Sequence, residues 1–316
     1  MEQIKTRIMV EEYLNSRKVN LKAYSFSIIS NIINKHFLEY FEDLYLNDLK
    51  PKDINSYYLY LAGLPLKPKT KNNIISTIMV FINWLDIMEY LNSSINRKFK
   101  QIIKAFPLTE TPKSDYLSIE EIKVLFSSMN GKSFEDRREK LMIQVLLFSG
   151  LRKSELRALT FDDIDIIHSC INVSKQLQSI NINGKLNEVL VEYTKTNKNR
   201  IINVPKWMIE EIEKFKKMYL KRIEKEKKKY DFFLFPYKSV RINRILNKHL
   251  KNAHLRHVKI HDLRHSYCTM LYDNGANSKF VQRQLGHSSE KTSRDIYEHL
   301  TSKMMENGID IINKLI

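Results

Sequence analysis

His261-Asp262-Leu263-Arg264, then Leu285-Gly286-His287, then Tyr297 follow one another within a few dozen residues near the C-terminus. Two histidines, an arginine and a tyrosine are an unusual set for hydrolysis. They suit the cradling of a phosphodiester while a phenolic oxygen attacks it. A second arginine stands upstream in Ser149-Gly150-Leu151-Arg152-Lys153-Ser154-Glu155-Leu156.

The chemistry explains the residue types. A phosphodiester under attack gains negative charge, so fixed cations must surround its non-bridging oxygens. Arginine fits because its planar fork binds two oxygens and keeps its charge, which makes Arg152 and Arg264 candidates. A histidine donates to the same oxygens or shuttles a proton, and His261 and His287 suit either task. The leaving oxygen needs a general acid, for which a lysine on a hairpin is suitable. Tyr297, ten positions after His287, serves as a covalent nucleophile that stores the bond energy as a phosphotyrosine.

Taken singly, each residue has a plainer explanation. A Gly-Leu-Arg turn often only ends a helix, its arginine a surface charge, and Tyr297 is one of 16 tyrosines. His254, His257, His261 and His265 raise the question of a metal, since residues 261 and 265 share a helical face. No glutamate lies between them as in His-Glu-x-x-His, and no cysteine pair accompanies them. The expectation is a site without metal or cofactor, carried by combination and order.

Charge points to a polyanionic partner. The 316 residues hold 53 Lys and Arg against 36 Asp and Glu, a net +17, which favours nucleic acid or an anionic membrane surface. The excess is shared, with +5 on residues 1–107 and +12 on the rest. A hydrophobic fraction of 43% is ordinary for a folded protein. Cys170 and Cys268 are the only cysteines, so a disulfide framework is not expected and a reducing cytoplasm is. No apolar run reaches the roughly 20 residues a spanning helix needs, and no signal-peptide pattern opens the chain.

The hydrophobic periodicity divides the chain. Residues 22–41, a short helix opened by Pro51 and Asp53 and ended by Gly63, and residues 70–90 read as amphipathic helices of a bundle core. Leu64-Pro65-Leu66-Lys67-Pro68-Lys69-Thr70-Lys71 precedes the last of these, where Lys67, Lys69 and Lys71 serve as phosphate contacts or as a solvated loop. A Pro-bounded stretch from Phe106 to Asp115 reads as a linker. Ser118-Ile119-Glu120-Glu121 has capping-box spacing, and a helix over 137–148 stops at Gly150. Ile164–Val173, Glu188–Tyr193 and Arg200–Pro205 are β-rich and read as one small antiparallel sheet. Helices resume at 206–228, 240–252, 261–273, 278–285 and around 291–298. The lysines of 214–229 alternate with glutamates, as on a solvated face with i,i+4 pairs; direct DNA contact is the competing reading. The fold class is mainly α with a small antiparallel β-sheet.

In its order of motifs the chain resembles the tyrosine recombinases, the phage integrase family. The likeness covers nearly the whole length, with its specific motifs within 149–299. Residues 149–156 resemble the family's first-arginine box, 261–266 its His-x-x-Arg box, and 285–289 with 295–299 its closing box and nucleophile. The resemblance implies that Arg152, His261, Arg264 and His287 bind and activate the scissile phosphate and that Glu155 supports the site. It also implies that Tyr297 attacks to leave a 3′-phosphotyrosine and a free 5′-hydroxyl. Tyr193-Thr194-Lys195-Thr196-Asn197-Lys198-Asn199-Arg200 is similar to the family's hairpin, whose lysine is the general acid. Lys195 fits best, with Lys198 its competitor and Lys185 a remote one. Ser149, where Thr is common, and the Asn/Lys-rich hairpin are small departures.

The architecture implied is a two-domain clamp on double-stranded DNA: a helical core-binding (SAM-like) domain at 1–107, a linker at 108–114, and an α+β catalytic domain at 115–316. Lys153, Lys198, Arg200 and Arg241 join Lys67, Lys69 and Lys71 as expected DNA contacts. Helical patterning begins almost at Met1, so no additional arm-binding domain is expected. A homotetramer on synapsed DNA core sites, helped by accessory DNA-bending proteins, follows from the resemblance. The amphipathic tail from Met304 docks on a neighbouring subunit or packs on its own. Two other functions compete: topoisomerase-like relaxation by the same chemistry, and a DNA-binding protein without catalysis.

Overall fold

The computed structural model describes residues 5–42, 44–108, 116–182, 185–192, 199–226 and 232–286. Contacts divide the chain into two compact units, Met1–Thr111 with Ser179–Glu188, and Pro112–Gln178 with Val189–Ile316.

The first unit is built on helices α1 (Thr6–Asn20), α2 (Ala23–Ile33), α3 (Glu39–Phe41), α4 (Pro51–Gly63), α5 (Pro68–Ile87) and α6 (Ser93–Ile102). Prolines open α4 and α5 at the first helical position, where a missing N–H costs nothing and φ is preset. Asp53 adds an acceptor for the Lys50 N–H at 2.8 Å. α5 buries Ile74, Ile75, Ile78, Phe81, Ile82 and Leu85, the stripe its periodicity predicts.

The expected single helix over 22–41 differs in detail. Residues 34–38 form a π-helical turn between α2 and α3. An α-helix drifts about 40° for each step of four residues; the wider turn opposes that drift. Ile33, Phe37 and Phe41, four apart, therefore all stay fully buried, while Tyr24 and Ile28 face solvent. Phe37 meets Phe81 edge-on at 5.1 Å and Phe41 packs on Tyr57 at 4.7 Å. Tyr57 donates its hydroxyl to the His36 carbonyl at 2.7 Å, so its buried polar end is satisfied.

The second unit begins with α7 (Ile119–Ser127), α8 (Phe134–Ser149) and α9 (Lys153–Ala158). The Ser118 capping box is present: Glu121 accepts from the Ser118 N–H at 2.8 Å, and Ser118 Oγ accepts from the Glu121 N–H at 3.2 Å. Strands β1 (Ile164–Asp165), β2 (Cys170–Val173), β3 (Lys175–Ile182), β4 (Lys185–Glu192) and β5 (Arg200–Asn203) follow, with the part of β3 and β4 in Ser179–Glu188 counted in the first unit. Two sheets replace the one expected: an antiparallel β1-β2-β5 sheet, in which Ile171 pairs with Ile202, and a separate β3-β4 hairpin. Ile171, Val173 and Ile202 of the first sheet close on the helical core.

Helices α10 (Lys206–Glu226), α11 (Ser239–Asn252), α12 (Ile260–Asp273) and α13 (Ser278–Leu285) complete the described residues. α10 buries Met208, Ile209, Ile212, Phe215 and Tyr219, while Lys214 pairs with Glu211 at 2.9 Å on the outside. The described part of the lysine-rich stretch thus has a buried apolar face and a solvated charged one. Within the core, Glu139 of α8 meets His249 of α11 at 2.8 Å. No helix among the described residues is long and apolar enough to cross a membrane.

Candidate active site

The site grows from the end of α8. Gly150 caps that helix in the left-handed conformation, φ +63°, a turn that glycine makes without penalty. It redirects the chain so that Arg152 becomes the N-cap of α9. Three residues on, Glu155 folds back and accepts from the Arg152 backbone N–H at 2.8 Å and from its Nη1 at 3.0 Å. Arg152 also donates from Nη2 to the Gly286 carbonyl at 3.1 Å. Its side chain remains 37% exposed while that of Glu155 is fully buried, so the cation faces outward on an anionic base.

Arg264 arrives from α12 and is buried. It donates from Nη1 to the Gly150 carbonyl at 2.7 Å and from Nη2 to the Leu285 carbonyl at 2.6 Å. Burial, and then the neighbouring Arg152 charge, push its pKa down to about 9, which leaves it cationic at neutral pH. The first arginine box, the His-x-x-Arg box and the end of α13 are thereby tied together. α12 itself is held in place: Asp262 accepts from the Lys259 N–H at 2.7 Å, and Ser266 Oγ accepts from the Leu117 N–H at 2.9 Å.

His261 lies on the exposed face at the start of α12, one turn before His265, their rings edge-on at 4.8 Å. The protein packed around it disfavours its charged form, and His265 and Arg264 add repulsion, so its pKa is lowered. It is poised as a neutral imidazole, able to donate from one nitrogen and accept at the other.

The structure corrects one expected DNA contact. Arg200, at the start of β5, is buried and turned inward. Its Nη1 and Nη2 donate to Glu155 Oε1 and Oε2, each at 2.8 Å, and its Nε donates to the Gln284 carbonyl at 3.2 Å. Unlike Arg264, whose partners are neutral carbonyls, Arg200 has its charge matched at both terminal nitrogens by a carboxylate and is turned to the core rather than to a DNA surface. Burial opposes ionisation of Glu155, but the hydrogen bonds and charge of Arg200, with help from Arg152, outweigh it and hold the carboxyl down to about 2. Gly286 passes so close that a Cβ there would fall 2.8 Å from Arg200 Cδ.

Sequence reasoning missed this bracing of Glu155, though a signal existed. Along β5, Arg200 and Ile202 point inward and Ile201 and Asn203 outward, so strand alternation puts Arg200 on the apolar face. Gln284 was also missed: its side chain donates to the Asn203 carbonyl and accepts from the Asn203 N–H, both at 3.0 Å.

Other expected residues are dispersed. Lys153 is half-buried beside Asn243, at 3.4 Å, with its pKa lowered by burial and by Arg157. Arg241 is exposed and lies 4.8 Å from the centre of the Tyr237 ring. In the first unit Lys67 and Lys69 are exposed, whereas Lys71 donates to the Ala62 carbonyl and sits over the Phe106 ring. His287, Tyr297, Lys195 and Lys198 lie outside the described residues, as do most of the linker and the tail. Among the described residues no three His, Cys, Asp or Glu side chains are gathered as metal ligands would be.

A buried carboxylate is thus braced by one arginine and carries another outward, with a third arginine and a histidine alongside. Residues 115–304 match the phage integrase family, and residues 7–62 match the phage integrase N-terminal SAM-like domain. The chain belongs to the phage integrase family, the tyrosine recombinases, which are DNA strand-transferring enzymes. It is 25% identical to the ICEBs1 integrase of Bacillus subtilis over 98% of this chain and 82% of that one. It is 27% identical to tyrosine recombinase XerC of Staphylococcus epidermidis over 94% and 92%. Its fold is similar to that of the Tn1549 transposon integrase in complex with transposon right-end DNA, with a TM-score of 0.70 at 19% identity over 96% of this chain and 99% of that one. A lambda integrase dimer bound to a core site gives 0.63 at 14% identity, over 93% and 77%.

Proposed function

We propose that this protein is a site-specific recombinase of mobile DNA, cleaving and rejoining strands through a 3′-phosphotyrosine intermediate. One observation carries the reading: Arg152 and Arg264, from boxes far apart in sequence, meet at the carbonyls of Leu285 and Gly286, directly before His287. In this scheme the two arginines hold the non-bridging oxygens of the scissile phosphate, with His261 and His287 donating beside them. Tyr297 gives its phenolic proton to the neutral imidazole of His261 and attacks phosphorus, forming the phosphotyrosine bond as the bond to the 5′-oxygen breaks. Lys195, or Lys198 in its place, gives that oxygen its proton. Attack by a 5′-hydroxyl of another strand reverses the step, so no nucleotide is consumed.

Residues 1–107 then form the helical core-binding domain, 108–114 the linker and 115–316 the catalytic domain, acting on DNA in the cytoplasm. Lys67, Lys69, Lys153, Lys198 and Arg241 supply phosphate contacts, so affinity falls steeply with salt. Synapsis brings four copies together on paired core sites, with accessory DNA-bending proteins assisting. Transfer of the relatives' activity rests on family membership and the shared motif order. The test is a nicked suicide substrate carrying the core site: wild type forms a covalent protein–DNA adduct and Tyr297→Phe does not. Adduct formation by both or by neither would overturn the assignment. Exchange between two marked sites separates recombination from relaxation.

A further inference from the structure

We infer that Arg200 is a positioning residue for strand cleavage, fixing the Arg152 guanidinium toward the phosphate through the Glu155 carboxylate. The inference rests on the recombinase reading above.

Both oxygens of Glu155 serve two arginines. Oε1 accepts from Arg200 Nη1 at 2.8 Å and Arg152 Nη1 at 3.0 Å; Oε2 accepts from Arg200 Nη2 at 2.8 Å and the Arg152 N–H at 2.8 Å. A carboxylate held at both oxygens by one rigid fork cannot rotate, so the second arginine is aimed as well. Arg200 also fixes the other end of the same assembly. Its Nε holds the Gln284 carbonyl, one residue before the Leu285 carbonyl that takes Arg264 and two before the Gly286 carbonyl that takes Arg152. One side chain therefore sets the Arg152 aim from both sides, with no surface of its own offered to substrate: its side chain is 7% exposed.

Among the described residues, the charged groups facing Glu155 include Arg200 from β5, Arg152 from the start of α9 and Arg264 from α12; the described end of α13 brings neutral Gln284 and its carbonyls. With Arg200 present, Glu155 stays ionised throughout the working range. Without it, the buried carboxyl loses the partner that most opposes the effect of burial, and its pKa rises. Protonation would then remove the charge and turn one of the two oxygens that aim Arg152 into a donor, and cleavage would fail as pH drops. A merely structural arginine would lower stability and rate alike at every pH.

The test compares wild type, Arg200→Met and Arg200→Lys in single-turnover adduct formation between pH 5.5 and 8, alongside half-site DNA affinity and thermal midpoint. His261 and His265 titrate in all three proteins, so they cancel from the ratio of rates. We expect half-site affinity within about threefold of wild type, because phosphate contacts elsewhere supply it. The rate of Arg200→Met should fall by roughly 10-fold at pH 8 and roughly 100-fold at pH 5.5, the scale of a misplaced catalytic group. Arg200→Lys, which restores charge but not the fork, should lie between, and it carries the test if the methionine variant does not fold. A ratio constant across pH, or a wild-type rate in either variant, overturns the inference. Failure of wild type itself to form an adduct would sink the recombinase reading instead. Carboxyl-carbon NMR of Glu155 then still decides the coupling: the group must titrate at higher pH in Arg200→Lys than in wild type, and an unchanged titration refutes it.

Discussion

Gly150 packs so tightly on Tyr267 that a Cβ on the glycine would fall 2.8 Å from Tyr267 Cδ1, and 2.5 Å from Leu285 Cδ2. Both neighbours are buried, and the backbone is left-handed. Gly150→Ala should therefore cost about 3 kcal/mol through backbone strain and overpacking together. Urea unfolding checks this. Gly150→Asn, which tolerates the conformation but not the space, should do no better. Because the Gly150 carbonyl holds Arg264, either variant should also cleave slowly even where it remains folded.

The depressed carboxyl of Glu155 makes stability depend on acid. Its folded value, about 2, lies below the ordinary 4.5, so the unfolded chain binds the proton more tightly. The stabilisation is present in full above about pH 5 and is lost as pH falls toward 2, a total of about 3 kcal/mol. The stability gap between wild type and Glu155→Gln should accordingly be wide at pH 6 and narrow at pH 3. A gap independent of pH would show that Glu155 is not the group responsible.

Three lysines that look alike in sequence should behave differently. Lys67→Ala and Lys69→Ala should each weaken half-site binding with little change in stability, and reduce the slope of log affinity against log salt by about 1. Lys71 is engaged by the Ala62 carbonyl and the Phe106 ring. Lys71→Ala should lower the thermal midpoint and leave the salt slope nearer to wild type. Equal slopes for all three variants would contradict this division.

Glu139 and His249 pair in the core, with Lys248 on the same carboxylate oxygen. Glu139→Ala leaves the buried His249 without its carboxylate, while the half-exposed Lys248 turns to solvent, and should cost about 2 kcal/mol in chemical denaturation, without altering half-site affinity measured at a temperature where the variant is folded. A loss under about 1 kcal/mol would mean that the pair contributes little.

Sequence revealed what is local and hid what is paired at a distance. The Ser118 capping box, the proline start of α4 and the glycine stop of α8 are each written within a few residues, so their elements were legible. The π turn at 34–38 was not, because the pattern of Phe37 and Phe41 reads as an ordinary helix until their burial is known. The arginines of the site were legible as candidates through motif order. What each of them holds was not: Arg200 finds Glu155 across 45 positions, and nothing adjacent to either residue names the other. Adjacent to the hairpin, a basic residue reads as a DNA contact by its neighbours, although the alternation of β5 already turned it inward.

The Gln284 side chain has one more consequence. β5 lies at the margin of its sheet, where an open peptide group invites a foreign strand. By matching both the N–H and the carbonyl of Asn203, Gln284 imitates a neighbouring strand for the length of one residue. Gln284→Ala should therefore raise light scattering in concentrated solution before the fold is lost, and unchanged scattering would show that the match with Asn203 serves packing alone.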